Sequence, residues 1–280
     1  MPDIVNGADL RFGLRPDVAA EVESAGLLDL AERCYFLYQQ ALYANMELII
    51  FRELHEVPAS YKRDVLCAPC FFSFARMAIV ESCFMNCARL FDGGSNISIS
   101  TLLKDCKSLT AKIDARACAL FSKRPGFDKT KPIRHTLAAD EERFFRAEVD
   151  SQRSFESLCN VDSPEPVLIY IDAAGLIDLW YKRLNGLKKL TNRLREQRNK
   201  VFAHSDFEAL DYDGLSKKFP LTLAEMQRLV DFALDCVIET SAIISNSKTS
   251  WPRSMHNAND LRGLLDYVNA GMEWVEKGMP

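Results

Sequence analysis

Glycine and proline are both scarce in this sequence, with 12 and 11 copies among 280 residues. Folds built from many short strands need these residues at their frequent turns, so the scarcity disfavours β-sandwiches and barrels and favours long helices. A large excess of one charge sign is also absent, because the formal net charge is only −4. This balance excludes a protein that is basic over its whole surface, but it leaves room for a local basic patch.

Long apolar runs and the familiar enzyme motifs are missing too. No run reaches the roughly 18 apolar residues that a membrane-spanning helix needs, and residues 1–17 lack the basic and apolar segments of a secretory signal. We therefore expect a cytoplasmic protein that does not contact a membrane. The sequence has no Gly-x-Ser-x-Gly elbow, no Gly-rich phosphate loop and no dinucleotide fingerprint, so nothing supports a hydrolase, NTPase or dehydrogenase of those types.

Helical periodicity is the main feature that the sequence does contain. Hydrophobic residues make up 48% of the chain, which is enough for a packed core. Their recurrence every three or four positions predicts an all-α fold: an antiparallel helical bundle with a long helical and loop excursion and a short C-terminal helix. We expect a flexible arm over 1–16, the bundle over 17–247, and a C-terminal extension over 248–280 that packs on the bundle.

Individual helices follow from the same spacing. The helix over 27–56 should bury one apolar stripe, whereas the helix from Pro69 to Phe91 is apolar nearly all round and should be central. Thr222 and Glu225 have the spacing of a capping box at the start of the last helix. The predicted helices begin at Pro16 with Asp17 as N-cap, and then cover 27–56, 69–91, 99–121 with Ser98 or Ser100 as N-cap, 137–159, 172–203, 222–245 and about 260–275.

Nine cysteines are spread along the chain, which is an odd number, and most lie in apolar helical surroundings. We expect reduced thiols that act as small hydrophobic residues. The alternative is a zinc site, because four of them form two closely spaced pairs. The second pair lies on an apolar helix without the glycine and polar residues of a zinc knuckle, so no metal is expected. The four cysteines are Cys67, Cys70, Cys83 and Cys87.

Positive charge is concentrated between Lys182 and His204, where eight lysines or arginines accompany a single acid, Glu196. A charged run on a helix is usually a solvated face, but such faces normally mix both signs. One-sided charge is typical of a surface that holds phosphates or an acidic partner. The segment therefore marks the candidate functional region of the chain.

This region ends in a motif that begins with Arg198-Asn199 and closes with His204. Five residues lie between the arginine and the histidine. The arrangement resembles the signature of the HEPN domains, all-helical proteins with an arginine, a polar residue and a histidine near the end of a helix. Two further stretches are similar to the AbiU-type abortive-infection branch of that family. These stretches are Ala88–Asp92 with Ile97–Leu103, and Ala203–Asp206. The resemblance spans roughly residues 27–245.

The resemblance implies a metal-independent endoribonuclease that uses no cofactor and acts in phage defence or as a toxin. The 2′-OH of RNA would attack the phosphate, with His204 as acid or base, Arg198 as phosphate clamp and Asn199 as orienting residue. It also implies RNA as partner, a homodimer in which two motifs meet, and an antitoxin or other defence protein as a further partner. The expected RNA contacts are Arg193, Arg195 and Lys200.

Two alternatives stay open at this stage. A non-catalytic HEPN module could bind RNA, a nucleotide or a protein partner through the same basic groove, and a purely structural protein could use the motif as a dimer interface. Geometry also constrains catalysis, because six residues turn a regular helix through about 600° and leave Arg198 and His204 about 120° apart. The helix must therefore end or distort near 203–205, or a second subunit must supply the facing pair.

Overall fold

The computed structural model describes residues 12–55, 69–121, 173–199 and 221–245, together with Asp266. Within these ranges every regular element is a helix and none is a strand, which confirms the predicted all-α fold. The helices are α1 (Pro16–Ser24), α2 (Leu28–His55), α3 (Pro69–Leu90), α4 (Ile99–Ser108), α5 (Thr110–Phe121), α6 (Ala173–Gly186), α7 (Lys188–Gln197) and α8 (Leu223–Ser245).

The chain divides into two compact units whose segments alternate along the sequence. Unit 1 comprises Met1–Gln39, Phe91–Lys188 and Phe232–Trp251, and unit 2 comprises Gln40–Leu90, Lys189–Asp231 and Pro252–Pro280. Helices α2 and α8 therefore contribute residues to both units, and α7 does so by its first residue, Lys188. The predicted arm, bundle and C-terminal extension stay predictions, since most of the arm and nearly all of the extension lie outside the described residues.

The apolar stripe of α2 is buried as its spacing predicts. Six of its positions are buried, and Phe51, which continues the same three- and four-residue spacing, is half-buried. Burial at every third or fourth residue means that one side of the helix faces a core along its length. The six buried residues are Leu30, Cys34, Leu37, Ala41, Ala44 and Leu48.

The core of unit 1 is organised by α6, which packs against α4 and α5. Trp180 of α6 is buried, and its ring lies edge-on to Phe232 with 5.5 Å between the ring centroids. Asp114 of α5 accepts a hydrogen bond from the backbone N–H of Ala173 at 2.9 Å and so satisfies a donor in the first turn of α6. An aromatic contact and a helix cap together fix the helix that leads into the basic region.

Two segments that the sequence predicts as single helices are each divided into two helices in the structure. The predicted helix over 99–121 breaks at Leu109, where the hydroxyls of Ser108 and Thr110 donate to backbone carbonyls three residues earlier. Such bonds compete with regular helix geometry. The predicted helix over 172–203 breaks at Leu187, directly after Gly186, a residue type that weakens a helix interior without by itself ending the helix.

The predicted cap of α1 is also wrong, whereas one of the two predicted caps of α4 is correct. Arg15 precedes α1 and Pro16 occupies its first position, so Asp17 lies inside the first turn. A proline is favoured there because its missing N–H would have no helical partner. Ser98 is the N-cap of α4, with its hydroxyl accepting the backbone N–H of Thr101 at 3.3 Å.

Helix α3 is less buried than its composition predicts. Phe72 is buried against Leu54 of α2, but Phe71, Phe74 and Met77 are exposed. Among the described helices, α3 alone is long and apolar enough to cross a membrane, with a mean hydropathy of 1.2 over its best window. This is weak evidence for a membrane span, since core helices also meet the criterion. The prediction that α3 is central is wrong, because composition does not specify which sides of a helix are covered.

Candidate functional site

Helix α7 carries the basic region into unit 2 and exposes part of its charge. Leu190, Leu194 and Gln197 are buried, so their three- and four-residue spacing sets the inner side of the helix. Lys189 and Arg195 are exposed on other sides. The Arg195 guanidinium donates to the side-chain oxygen of Asn192 at 3.2 Å, which holds it along the outer surface.

Arg193, one of the expected RNA contacts, is engaged within the protein. Its guanidinium pairs with the Glu225 carboxylate at 2.5 Å, and both side chains are about two-thirds buried. The prediction that Arg193 contacts RNA is untested, but this ion pair favours a positioning role in which Arg193 joins α7 to the start of α8.

Glu225 also completes the predicted capping box, which the structure confirms. Its carboxylate accepts the backbone N–H of Thr222 at 3.0 Å, and the Thr222 hydroxyl accepts the N–H of Glu225 at 3.2 Å. The backbone hydrogen bond from Thr222 and the side-chain bond from Arg193 lower the pKa of Glu225. A single carboxylate thus fixes both the start of α8 and the guanidinium of Arg193.

Arg198 and Asn199 lie where the geometry of the helix changes. Regular α-helix ends at Gln197, and the next two residues form a wider, π-type turn. The Nε of Arg198 donates to the Asn199 side-chain oxygen at 3.0 Å, and both residues are half-buried. The structure therefore brings together two of the three predicted catalytic residues, and it departs from straight α-helix earlier than the 203–205 region that the sequence suggested. Turns of this kind are frequent at functional sites.

Gln197 is a polar residue of this site that sequence reasoning missed. It is buried, and its side-chain oxygen makes no hydrogen bond with any residue that the structure describes. A buried acceptor without a partner is unusual in a folded protein. The sequence does carry a signal for it. Gln197 continues the three- and four-residue spacing of Leu190 and Leu194, so a polar residue stands there where the pattern predicts an apolar one.

Part of the predicted basic surface serves the fold instead. In unit 1 the Arg183 guanidinium stacks on the Trp180 ring, 4.6 Å from its centroid. Lys200 and His204 lie outside the described residues, so their predicted roles in RNA binding and catalysis stay predictions. Described cations of this region therefore fall into two groups, those such as Arg183 and Arg193 with partners in the protein, and those such as Arg195 on the surface.

The two earlier stretches that resemble AbiU-type proteins are structural. Ala88 and Leu90 are buried near the end of α3 in unit 2. Ile99, Leu102 and Leu103 are buried in α4 of unit 1. These buried residues support the cores of their units.

The cysteines that could bind zinc do not form a described cluster. Cys67 lies outside the described residues, Cys70 is exposed, and Cys83 and Cys87 are buried. The Cys83 thiol lies 3.7 Å from the carbonyl oxygen of Ala44, to which it donates. The described residues contain no group of three or more potential metal ligands. The hydrogen bond that the Cys87 thiol donates to the Cys83 sulfur, together with burial, raises the pKa of Cys87, which favours the protonated thiol over a metal-binding thiolate.

The all-helical fold, with an Arg-Asn pair at the end of a basic helix, defines a HEPN-type protein. The sequence model of the HEPN family AbiU2 matches residues 27–160 and 177–266, which is most of the chain. The chain therefore belongs to the AbiU2 family of abortive-infection HEPN proteins. No curated protein and no solved structure matches it.

Proposed function

We propose that this protein is a metal-independent endoribonuclease that acts in abortive infection. The observation that carries the proposal is the hydrogen-bonded Arg198–Asn199 pair in the turn that ends a basic helix, in a chain of the AbiU2 family. Arginine presents a planar set of donors to phosphate oxygens, and the bond from its Nε to Asn199 fixes the plane of that guanidinium. A fixed guanidinium at the start of the motif is suited to hold the phosphate that is cleaved.

The proposed chemistry needs only RNA and side chains of this chain. The ribose 2′-oxygen attacks the adjacent phosphorus and loses its proton, the bond from phosphorus to the 5′-oxygen breaks, and that oxygen gains a proton. We assign one of the two proton transfers to His204, because an imidazole titrates near neutral pH. Arg198 would stabilise the additional negative charge on the phosphate. The products are a 2′,3′-cyclic phosphate and a free 5′-hydroxyl.

A second copy of the chain is part of this proposal. Two motifs related by two-fold symmetry would supply the imidazole that performs the other proton transfer. Arg195 and Lys200 would bind phosphates next to the cleaved one. Arg193 would act through its ion pair with Glu225, by fixing the helix that carries Arg198.

The test is cleavage of a single-stranded RNA by the purified protein in the presence of EDTA. We expect cyclic-phosphate ends, and a rate that falls by about 10²–10⁴ in His204→Ala, the usual contribution of a general acid or base. His135→Ala is the matched control because that histidine lies outside the motif, and its rate should be unchanged. Equal cleavage by His204→Ala and wild type would refute the assignment of His204.

The same protein samples distinguish a ribonuclease from the non-catalytic alternative, a protein that only binds RNA. A protein that only binds RNA would show affinity that falls steeply with salt and no cyclic-phosphate product. In cells, the proposed role predicts that wild-type expression lowers phage yield and that Arg198→Ala expression does not.

A further inference from the structure

Unit 2 exposes more positive charge than the basic region of α7 alone accounts for. Among its described residues five cations and two carboxylates are exposed, whereas the described residues of unit 1 expose six charges of each sign. Exposed surfaces normally mix both signs, so this excess on one unit is a distinct feature of a chain whose net charge is −4. The five exposed cations are Arg52, Arg89, Lys189, Arg195 and Arg228.

Contacts between helices of unit 2 connect Arg52 and Arg228 with α7. The ion pair of Arg193 with Glu225 joins α7 to the start of α8. Arg228 follows Glu225 by three residues and so lies about one turn further along α8. The Nη2 of Arg52 donates to the side-chain oxygen of Gln227 at 3.4 Å, which holds this guanidinium of α2 against α8 at the residue next to Arg228. Exposed cations therefore lie on three successive helices, α7, α8 and α2.

Lys189 is the member of this series on α7. It precedes Arg193 by four residues, so it lies one turn before the ion pair on the same side of the helix. Arg195 follows Lys189 by six residues and therefore lies about 120° away around the helix. Lys189, Arg228 and Arg52 thus form a row, which we name the α8 track, that begins on another side of α7 than Arg195.

The charge of the α8 track is not neutralised by the described part of the chain. None of the carboxylates that the structure describes forms an ion pair with Lys189, Arg228 or Arg52. Asp231, the next acid along α8, is half-buried and accepts the Gln227 amide at 2.9 Å. In unit 1, by contrast, exposed Lys107 pairs with an aspartate at 2.6 Å. The α8 track therefore presents uncompensated charge to an anion from outside the chain.

We propose that the α8 track is a second RNA-binding surface, on which a long RNA bound at α7 continues across the start of α8 to α2. The inference rests on the proposed function, because it takes RNA as the polyanion that is bound at α7. Phosphates repeat regularly along RNA, so cations in a row on successive helices can each contact a different phosphate.

An acidic protein fits the α8 track less well than RNA does. Protein interfaces need buried aromatic or aliphatic anchors at their centre, whereas contacts to phosphates need charge alone. None of the large hydrophobic residues exposed in the described chain lies on α7 or α8. Tyr43, an exposed aromatic residue of α2, lies nine residues before Arg52 and therefore about 180° away around the helix. The α8 track thus offers charge without an apolar anchor.

The geometry of the helices sets the length of RNA that can use the α8 track. The axes of packed helices are about 8–10 Å apart, so the crossing from α7 over α8 to α2 adds roughly 16–20 Å to the path. Each contact to a single-stranded phosphate steepens the slope of log affinity against log salt by about 0.7, so Arg52 and Arg228 together steepen it by about 1.4. We expect this addition for a long RNA and not for one that is fully occupied at α7.

The first experiment measures affinity in a salt series for RNAs of about 8 and about 16 nucleotides, both within the range of single-strand site sizes. All proteins carry His204→Ala so that the RNA stays intact. Arg52→Met combined with Arg228→Met should make the slope for the long RNA shallower by about 1.4, and should change the slope for the short RNA less than half as much. Lys104→Met combined with Lys112→Met is the matched control, because both lysines are exposed in unit 1, and it should change neither slope.

The outcomes separate this proposal from the proposed function. An unchanged slope for the long RNA, or equal changes for both RNAs, overturns the α8 track. If the chain with His204 intact cleaves RNA while the long-RNA slope is unchanged, the track alone is refuted. If that chain never cleaves RNA but the double variant changes the long-RNA slope as expected, the ribonuclease is refuted and the track stands.

The second experiment locates the long RNA by cross-linking. A single 4-thiouridine is placed at one end of the RNA or at the other, and the cross-linked peptides are identified by mass spectrometry. One end should cross-link to peptides that contain Arg52 or Arg228, and the double variant should lose this link. Cross-links that avoid α2 and α8 from both ends would contradict the proposed path.

Discussion

Arg193 and Arg195 lie two residues apart on α7 but should respond oppositely to replacement. Two residues turn an α-helix through about 200°, so these side chains leave nearly opposite sides. Arg193 is partly buried and paired with Glu225, whereas Arg195 is exposed and donates to Asn192. We expect Arg193→Met to lower the stability of the fold and Arg195→Met to weaken RNA binding.

The stability change can be bounded from the geometry of the ion pair. Exposed ion pairs contribute about 0.2–1 kcal/mol, and hydrogen bonds to charged groups contribute about 1.5–3 kcal/mol. The Arg193 and Glu225 side chains are 34% and 30% exposed with 2.5 Å between nitrogen and oxygen, so their pair lies between these classes. We expect Arg193→Met to lower the free energy of unfolding by about 1 kcal/mol, or about fivefold in the folding equilibrium.

The same ion pair predicts a pH dependence. The pKa of Glu225 is lowered in the folded state by the Thr222 backbone bond and by Arg193. Its stabilising contribution is therefore present above the unfolded pKa of about 4.3, and it is lost as the pH falls through the lowered folded value. The stability difference between wild type and Arg193→Met should be full at neutral pH and shrink below about pH 4.

Urea unfolding and RNA binding in a salt series measure the two effects separately. Binding is measured in the His204→Ala background so that the RNA stays intact. Losing one contact to a single-stranded phosphate should reduce the slope of log affinity against log salt by about 0.7. We expect this change in Arg195→Met and not in Arg193→Met. Lys104→Met, an exposed control on α4, should change neither quantity.

The opposite pattern would refute this division of roles. If Arg193→Met changes the salt slope as much as Arg195→Met does and leaves unfolding unchanged, the ion pair with Glu225 does not determine what Arg193 does. Arg193 would then belong among the RNA contacts, as the sequence first indicated.

Three further predictions concern the cores and one cap. Burial raises the pKa of Cys106 to about 12, so iodoacetamide at pH 8 should label exposed Cys70 at least tenfold faster than Cys106. Peptide mass spectrometry measures both rates, and equal rates would mean that α4 opens readily. Ser98→Ala removes the cap of α4 and should lower the free energy of unfolding by about 1 kcal/mol, whereas exposed Ser73→Ala should not. Leu37→Ala should cost about 2–5 kcal/mol in the same urea assay because Leu37 is fully buried, and a loss below 1 kcal/mol would contradict its burial.

The helices were predictable where local spacing decides and unpredictable where packing decides. The stripe of α2 follows from a 3.6-residue repeat, which needs no knowledge of distant residues. The break after Gly186 does not follow from local spacing. A single glycine costs a helix only about 1 kcal/mol, and the packing around α6 and α7 determines whether the helix continues in spite of it. The uncovered side of α3 is likewise invisible in a composition that is apolar all round.

The same distinction applies to the candidate site. The hydrogen bond between Arg198 and Asn199 joins neighbours, so spacing and residue type were enough to select the pair. The ion pair of Arg193 joins residues 32 positions apart and depends on how α7 meets α8 in unit 2. The buried side-chain oxygen of Gln197, which has no hydrogen-bond partner among the described residues, also became visible only in the structure. Reasoning from sequence therefore selected the candidate Arg198–Asn199 pair but could not say which arginines serve the fold.

A count of cations consequently overstates the surface available to RNA. Of the eight lysines and arginines in the basic region, Arg183 stacks on Trp180 in unit 1 and Arg193 pairs with Glu225 in unit 2. If these two keep their partners when RNA binds, at most six cations of the region remain as phosphate contacts. The slope of log affinity against log salt for one chain on single-stranded RNA that contacts only this region should then be no steeper than about −4, whereas all eight cations would give nearly −6. A measured slope near −6 would mean that Arg183 and Arg193 leave their partners on binding, because RNA phosphates would then compete successfully with an aromatic ring and a carboxylate that are already in place.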